Sequence, residues 1–304
     1  MNDGVKVESA SQKWICSLMQ FFVAVFAAGL YSLYRGQDAN WDLKNYHFYN
    51  AYAYLNDRLL FDHAPAGAMS FFTPMMDLPF YYLVSNFNDS PRLISFLMAI
   101  PAAVAIFTLF HLSLLLFSKG TQGRKTFVFV TVGMGLSGAA GIAQWGTTMN
   151  EWPVSALILI AVYVILRGLN EGKPTFKTLI SAGLIAGVAC GLKLTAATFA
   201  LGICLSLVLL NTGVADKIKN ASYFGFSVVV GLLASMGCWM WTLWLNFRNP
   251  TFPLFNNFWR SSWIDSAPMA MDMWVPKTLF DALIFPFAFL YKNRIASEVA
   301  FRDW

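Results

Sequence analysis

Charge is scarce in this chain. Asp, Glu, Lys and Arg supply 12% of its 304 residues, where a soluble domain carries about a quarter. So little charge cannot cover a water-facing surface, which excludes an ordinary soluble fold. Histidine is rarer still, with only His47, His63 and His111. The chain contains no GxxxxGK[ST], no HExxH and no GxSxG. Their absence argues against a P-loop ATPase, a zinc protease and a serine hydrolase of familiar type, and no metal site is expected. No CxxC occurs either. Cys16, Cys190, Cys204 and Cys238 all fall inside apolar runs and read as buried free thiols, not as a zinc or disulfide framework. Strictly alternating segments of a membrane β-barrel are missing as well. The net charge of +5 calls for no nucleic-acid partner, because basic cytoplasmic loops account for it.

Long apolar runs fill what remains, and 57% of the residues are hydrophobic. Spans are predicted over about 14–34, 92–117, 126–143, 152–168, 177–192, 194–211 and 222–246, most of them close to the ~20 residues that cross a bilayer. The fold class is therefore all-α, a polytopic helical membrane protein. "WICSLMQFFVAVFAAGLYSLY" is too long for a signal-peptide core and lacks a small-residue cleavage site, so it reads as an uncleaved first helix. Lys6, Lys13, Lys119, Arg124, Lys125, Arg167, Lys173, Lys177, Lys217 and Lys219 all fall on one side if the N-terminus is cytoplasmic. That parity requires "SFFTPMMDLPFYYLV" (70–84) to lie along the outer face as an interfacial helix, with Tyr81 and Tyr82 near the headgroups.

The outer face then receives residues 35–91, the turn 143–153, the Leu192–Lys193 junction and everything after about 247. The organisation expected is a seven-helix module over 1–246, followed over 247–304 by an outer loop with a further interfacial helix or an eighth span (278–292). The ending "SEVAFRDW" has no polar tail and reads as the start of a truncated C-terminal part. Gly183, Gly187 and Gly191 recur four apart, a small-residue face for close helix packing.

The unexplained stretch is "WDLKNYHFYNAYAYLNDR" (41–58). At α-helical spacing Asp42, Asn45, Tyr46 and Tyr49 share one face, with His47 and Tyr54 on another. A carboxylate backed by amide and phenol donors can hold a hydroxyl and take its proton. An amphipathic interfacial helix with an aromatic belt has the same composition. Lys193, in "CGLKLTAA", stands between two apolar runs; a lysine there either faces a cavity, where it suits a phosphate, or snorkels to the headgroups. Glu151 is either a ligand contact or an acid placed at a helix N-terminus by the dipole. In "NFRNPTFPLFNNFWRSSW" Arg248 and Arg260 alternate with aromatics, which fits a grip on a phosphate or sugar as well as a headgroup surface.

The order of these parts resembles the GT-C superfamily, the integral-membrane glycosyltransferases that use polyprenyl-phosphate sugars. Relatives include the protein O-mannosyltransferases and the lipid A aminoarabinose transferases, and the wording looks closest to uncharacterised bacterial members. The features carrying the resemblance are the first helix, an outer loop with an acid and tyrosines, a proline-bearing interfacial helix, and a Gly-rich helix ending in "GLKLTA", over roughly 14–246. It implies a catalytic acid in the first outer loop, for which Asp42 matches best and Asp38 is the rival. It implies Lys193 as the ligand of the donor phosphate, with Arg58 or Arg260 beside it. Asn45, Tyr46, His47, Tyr49 and Glu151 would contact substrate. A second acid before the interfacial helix matches only loosely, through Asp62 or Asp77. The activity implied is inverting sugar transfer from a polyprenyl-phosphate donor to an acceptor on the periplasmic side of a bacterial inner membrane, with no cofactor. A transporter or flippase of a polyprenyl-linked or anionic solute, and a catalytically silent truncated membrane protein, are the competing readings.

Overall fold

The computed structural model describes residues 10–266 and 276–288, and every regular element among them is helical. Lys6, residues 289–292 of the predicted last segment and "SEVAFRDW" lie outside the described residues. Helix α1 (Ala10–Arg35) leads to a helix over 41–55, whose middle, Leu43–His47, is wound as a π-helix before α2 (Phe48–Leu55). A 3₁₀ turn (Gly67–Phe71) precedes α3 (Leu78–Phe87). Then follow α4 (Pro91–Met98), α5 (Ile100–Leu116), α6 (Arg124–Leu136), α7 (Ala139–Ala143), α8 (Glu151–Asn170), α9 (Phe176–Leu192), α10 (Ala197–Val208), α11 (Val214–Phe247), α12 (Asn256–Trp259) and α13 (Leu279–Ala288).

Among the described residues, four helical stretches are long and apolar enough to cross a membrane: Trp14–Arg35, Pro91–Leu116, Glu151–Asn170 and Val214–Phe247. Phe176–Leu192 and Leu194–Val208 are apolar but shorter. No more than 33% of any long span's apolar window is buried inside the protein. An outward apolar surface of that extent is compatible with a bilayer as its solvent.

The structure departs from the predicted spans in four places. The 92–117 run is interrupted at Ala99, because Pro101 cannot donate to the Leu97 carbonyl. The 126–143 run breaks after α6, where the Ser137 amide and hydroxyl both turn back to the Met134 carbonyl and Gly138 is extended. The 70–84 segment, expected as one interfacial helix, begins in the 3₁₀ turn and is α-helical only from Leu78. At 10 residues, α3 is about 15 Å long and cannot span. "DKIKN", read as a loop, is the first part of α11, which starts at Val214.

Helices α8, α9 and α11 form the core, with Ala182, Ala186 and Ala189 fully buried between them. The spaced glycines of α9 face α11 at near contact. A Cβ on Gly183 would meet the Phe224 carbonyl, and one on Gly187 would meet the Val228 carbonyl and Gly231. Backbones this close are how membrane helices gain packing energy without a hydrophobic driving force. Helix α5 bridges α8 to α1, through a second cluster in which Ala24, Ala28, Ala99 and Trp145 are buried together. All four cysteines are free, but Cys16 and Cys238 are exposed on helix surfaces, contrary to the expectation of burial.

The chain direction of these helices creates two unlike poles. One carries the 117–124, 171–175 and 209–213 turns with the basic residues around them. Arg124 does more there than add charge, donating to the Leu114 and Phe117 carbonyls that α5 leaves unpaired at its C-terminus. The other pole gathers the end of α1, the start of α8 and the ends of α9 and α11.

Candidate functional site

At that second pole, all four segments predicted for the outer face meet around one cavity of about 330 Å³. Asp42, Tyr46 and His47 enter from the first loop, with Thr73 and Asp77 from the segment before α3. Asn150 and Glu151 come from the start of α8, Lys193 and Thr195 from the α9–α10 junction, and Thr251 and Phe252 from beyond α11. The apolar part of the wall includes Phe71, Leu192 and Met236. Phe71 is fixed edge-on against Phe247 and Phe252, and its carbonyl accepts from the Trp239 indole at 3.2 Å.

The π-helical turn decides which side chains of 41–58 reach this cavity. Asn40 starts the helix by accepting from the Leu43 amide at 2.8 Å. Over the next five residues the winding widens, so positions i, i+4 and i+5 align. Asp42, Tyr46 and His47 therefore share the cavity face. This corrects the face predicted from α-helical spacing. Asn45 turns away and donates to the Trp41 carbonyl, and Tyr49 donates to Asp62 at 2.8 Å. Neither lines the cavity. The Tyr46 phenol is held far above its usual range, first by burial and then by the charge and hydrogen bond of Asp42, so it stays a neutral donor to that carboxylate.

His47 and Asp77 form a buried polar pair, with side chains 4% and 3% exposed and 2.6 Å between Nδ1 and Oδ1. Asp77 closes a turn in which its amide bonds the Pro74 carbonyl at 2.9 Å, and Pro79 then starts α3. Burial pushes the Asp77 carboxyl up, while the bond from His47 opposes the shift. The sequence offered both residues but no reason to pair them, since they are 30 positions apart.

Glu151, the first residue of α8, is ion-paired with Lys193, which stands in extended conformation where α9 ends. Only Oε1 of Glu151 is used. Its Oε2 and the Thr73 hydroxyl are buried without a partner among the described residues, and both residues line the cavity. Buried polar atoms left open in this way are where a bound molecule completes the hydrogen bonding.

Four other predicted residues lie elsewhere. Asp38 is committed to structure, accepting from the Asn40 amide and side chain and from the Thr148 amide and hydroxyl. It ties the first loop to the turn before α8. The "DAN" spacing of an Asx turn is the sequence signal that points to this role. Gly146 allows the approach, with φ +71 and no room for a Cβ beside Ser32. Arg58 forms an ion pair with Asp62 at 2.7 Å and covers the Phe61 ring, on the exposed side of the loop. Arg260 follows α12 with φ 56, exposed and outside the cavity wall, as is Arg248. The loop around Arg260 is held by Asn256, whose side chain bonds Ser261 and the Ile264 carbonyl.

The arrangement can thus present a carboxylate with a neutral phenol, a buried histidine–carboxylate pair and a lysine paired with one carboxylate oxygen, all beside an apolar wall. Comparisons of the chain with protein-family models, with curated proteins and with solved structures return no match.

Proposed function

We propose that this chain is a membrane glycosyltransferase of the GT-C type, moving a sugar from a polyprenyl-phosphate donor to an acceptor hydroxyl on the outer face of a bacterial inner membrane. The observation that carries the reading is the convergence of Asp42 and Lys193, from segments about 150 residues apart in sequence, on one cavity at the pole opposite the basic turns. Under the positive-inside rule that pole is outside. The seven crossings then comprise the four long spans, α9, α10 and the broken α6–α7 segment.

In the transfer, Asp42 accepts the acceptor's proton as its oxygen bonds to the anomeric carbon. The carbon–oxygen bond to phosphate breaks, and the lipid phosphate leaves with the electron pair. Lys193 offsets the charge on that phosphate. Arg58 and Arg260 have no part in it, being placed away from the cavity. Tyr46 orients Asp42, and Glu151 positions the lysine and offers Oε2 to a sugar hydroxyl.

The test is transfer in membrane vesicles from a panel of polyprenyl-phosphate hexoses. Asp42→Asn lowers transfer by at least about 10² while insertion and donor binding persist. Lys193→Ala weakens donor binding by about tenfold. Retained transfer in Asp42→Asn rejects the assignment.

A further inference from the structure

Charge counting in the cavity leaves one function unfilled. Among the described residues, with the histidine neutral and the carboxylates ionised, Asp42, Asp77 and Glu151 are opposed by Lys193 alone. Three negative charges and one positive give an excess of two negatives around a site read above as receiving a phosphate. That lysine is already matched by Glu151. The charge on the ligand also grows during transfer, because a donor phosphodiester carries one negative charge and the departing phosphomonoester carries up to two. Asp42 becomes neutral when it takes the acceptor's proton, which removes one excess charge. Nothing yet described removes the other.

The remaining group that can change charge near neutral pH is His47. Its Nδ1 is engaged by Asp77, its ring lies 4.4 Å from that of Tyr46, and it forms part of the cavity wall. Nε2 has no hydrogen-bond partner among the described residues and is the nitrogen open to a ligand. A buried imidazole backed by a buried carboxylate is arranged to carry a proton when an anion arrives. The ionisable groups near it are Asp77 before α3, Asp42 and Tyr46 on its own turn, Glu151 on α8 and Lys193 at the end of α9. The residues lining the cavity from 71–73, from α11 and from 251–254 contribute no ionisable group.

We infer that His47 and Asp77 together form a proton-linked phosphate-binding pair, which takes up one proton from water when a lipid phosphate enters the cavity and returns it when the phosphate leaves. This rests on the reading of the cavity as a lipid-phosphate site. Asp77, bonded to Nδ1, holds the imidazolium in place. Protonation supplies the positive charge that Lys193 cannot supply alone, so affinity for the anion is highest at low pH and falls as pH rises through the titration of the pair. An anion a few ångströms away raises such a group's pKa by about one unit or more, and linkage makes the affinity change by the same factor, about tenfold.

The experiment uses the full chain in nanodiscs and methyl farnesyl phosphate, a diester whose single charge is constant across the pH range studied. Dissociation constants are measured from about pH 5.5 to about pH 8. The wild type is expected to lose about tenfold in affinity over that range. In His47→Gln the affinity becomes flat with pH. Asp77→Asn, which keeps a hydrogen-bond partner for the ring, moves the midpoint to lower pH and decides the matter if His47→Gln does not fold. Lys193→Ala weakens binding at every pH while keeping the slope. An unchanged slope in His47→Gln overturns the pair's role and leaves the cavity reading standing. No binding by the wild type at any pH overturns both.

Discussion

Two clusters of like composition come from one stretch of sequence and its flank, and they differ in almost every physical respect. Asp42, Tyr46, His47 and Asp77 lie in and behind a cavity, with Tyr46, His47 and Asp77 buried and Asp42 accepting from a phenol held neutral. Tyr49, Arg58 and Asp62 also combine a phenol, a cation and a carboxylate. Here, however, arginine and carboxylate are about a third and a quarter exposed, and the pair is a helix-like i, i+4 contact. In the first cluster the His47–Asp77 pair is shut off from water and depends on its neighbours, while Asp42 is half-buried at the cavity. In the second, water screens the same interactions. The π-helical turn separates the two, delivering Asp42, Tyr46 and His47 to the cavity while Tyr49 faces Asp62.

Substitutions matched between the clusters test this contrast. The largest difference expected is in transfer: Asp42→Asn loses at least about 10² in rate, whereas Asp62→Asn stays within about twofold, since a screened surface pair contributes little. Equal losses would erase the distinction. Next is stability. Asp77→Ala leaves the His47 ring buried without its partner, which costs about 3 kcal/mol and lowers the thermal midpoint in detergent, while Asp62→Ala leaves the midpoint where it was. Smaller again, Tyr46→Phe removes the donor that orients Asp42 and slows transfer about tenfold, against no change for Tyr49→Phe.

The smallest effect is spectroscopic. The Tyr49 phenol is pushed up to about 12, first by burial and then by its bond to Asp62. A phenol whose folded value lies above its unfolded 10.0 contributes stability below that pH and loses it as pH rises through about 12. Asp62→Ala brings the phenolate absorbance change of Tyr49 to lower pH, and a titration curve unmoved by the substitution would contradict the bond.

Much of this organisation is legible in the sequence, and the reasons are local. Apolar runs near bilayer length locate the helices, and the basic turns sort loop from loop. That sorting alone places Asp42, Glu151, Lys193 and the segment after 247 on one side, where the structure brings Asp42, Glu151 and Lys193 to one cavity. Gly183, Gly187 and Gly191 announce their contact by spacing. What escapes is non-local or non-ideal. The pairing of Glu151 with Lys193 spans 42 positions, and that of His47 with Asp77 spans 30. The assignment of faces in 41–58 failed because α-helical spacing was applied to a π-helical turn, a winding that no residue preference signals. Arg58 and Arg260 looked like phosphate ligands by type, but Asp62 takes the first and the geometry of the closing loop turns the second away.

The π-helical turn also bears on how this loop tolerates length changes. Such a turn is equivalent to an α-helix that has accommodated one additional residue. Removing a single residue there, for example the exposed Lys44, would let the helix rewind to its ordinary period with its flanks still in register, since Asp42, Tyr46 and His47 would then fall at i, i+3 and i+4, one face of an α-helix. Rewinding without that deletion would instead set Asp42 and His47 about 140° apart and swing one of them out of the cavity. The surplus peptide unit and the wide winding are therefore matched to each other, and the carboxylate keeps its reach only while residue count and winding agree.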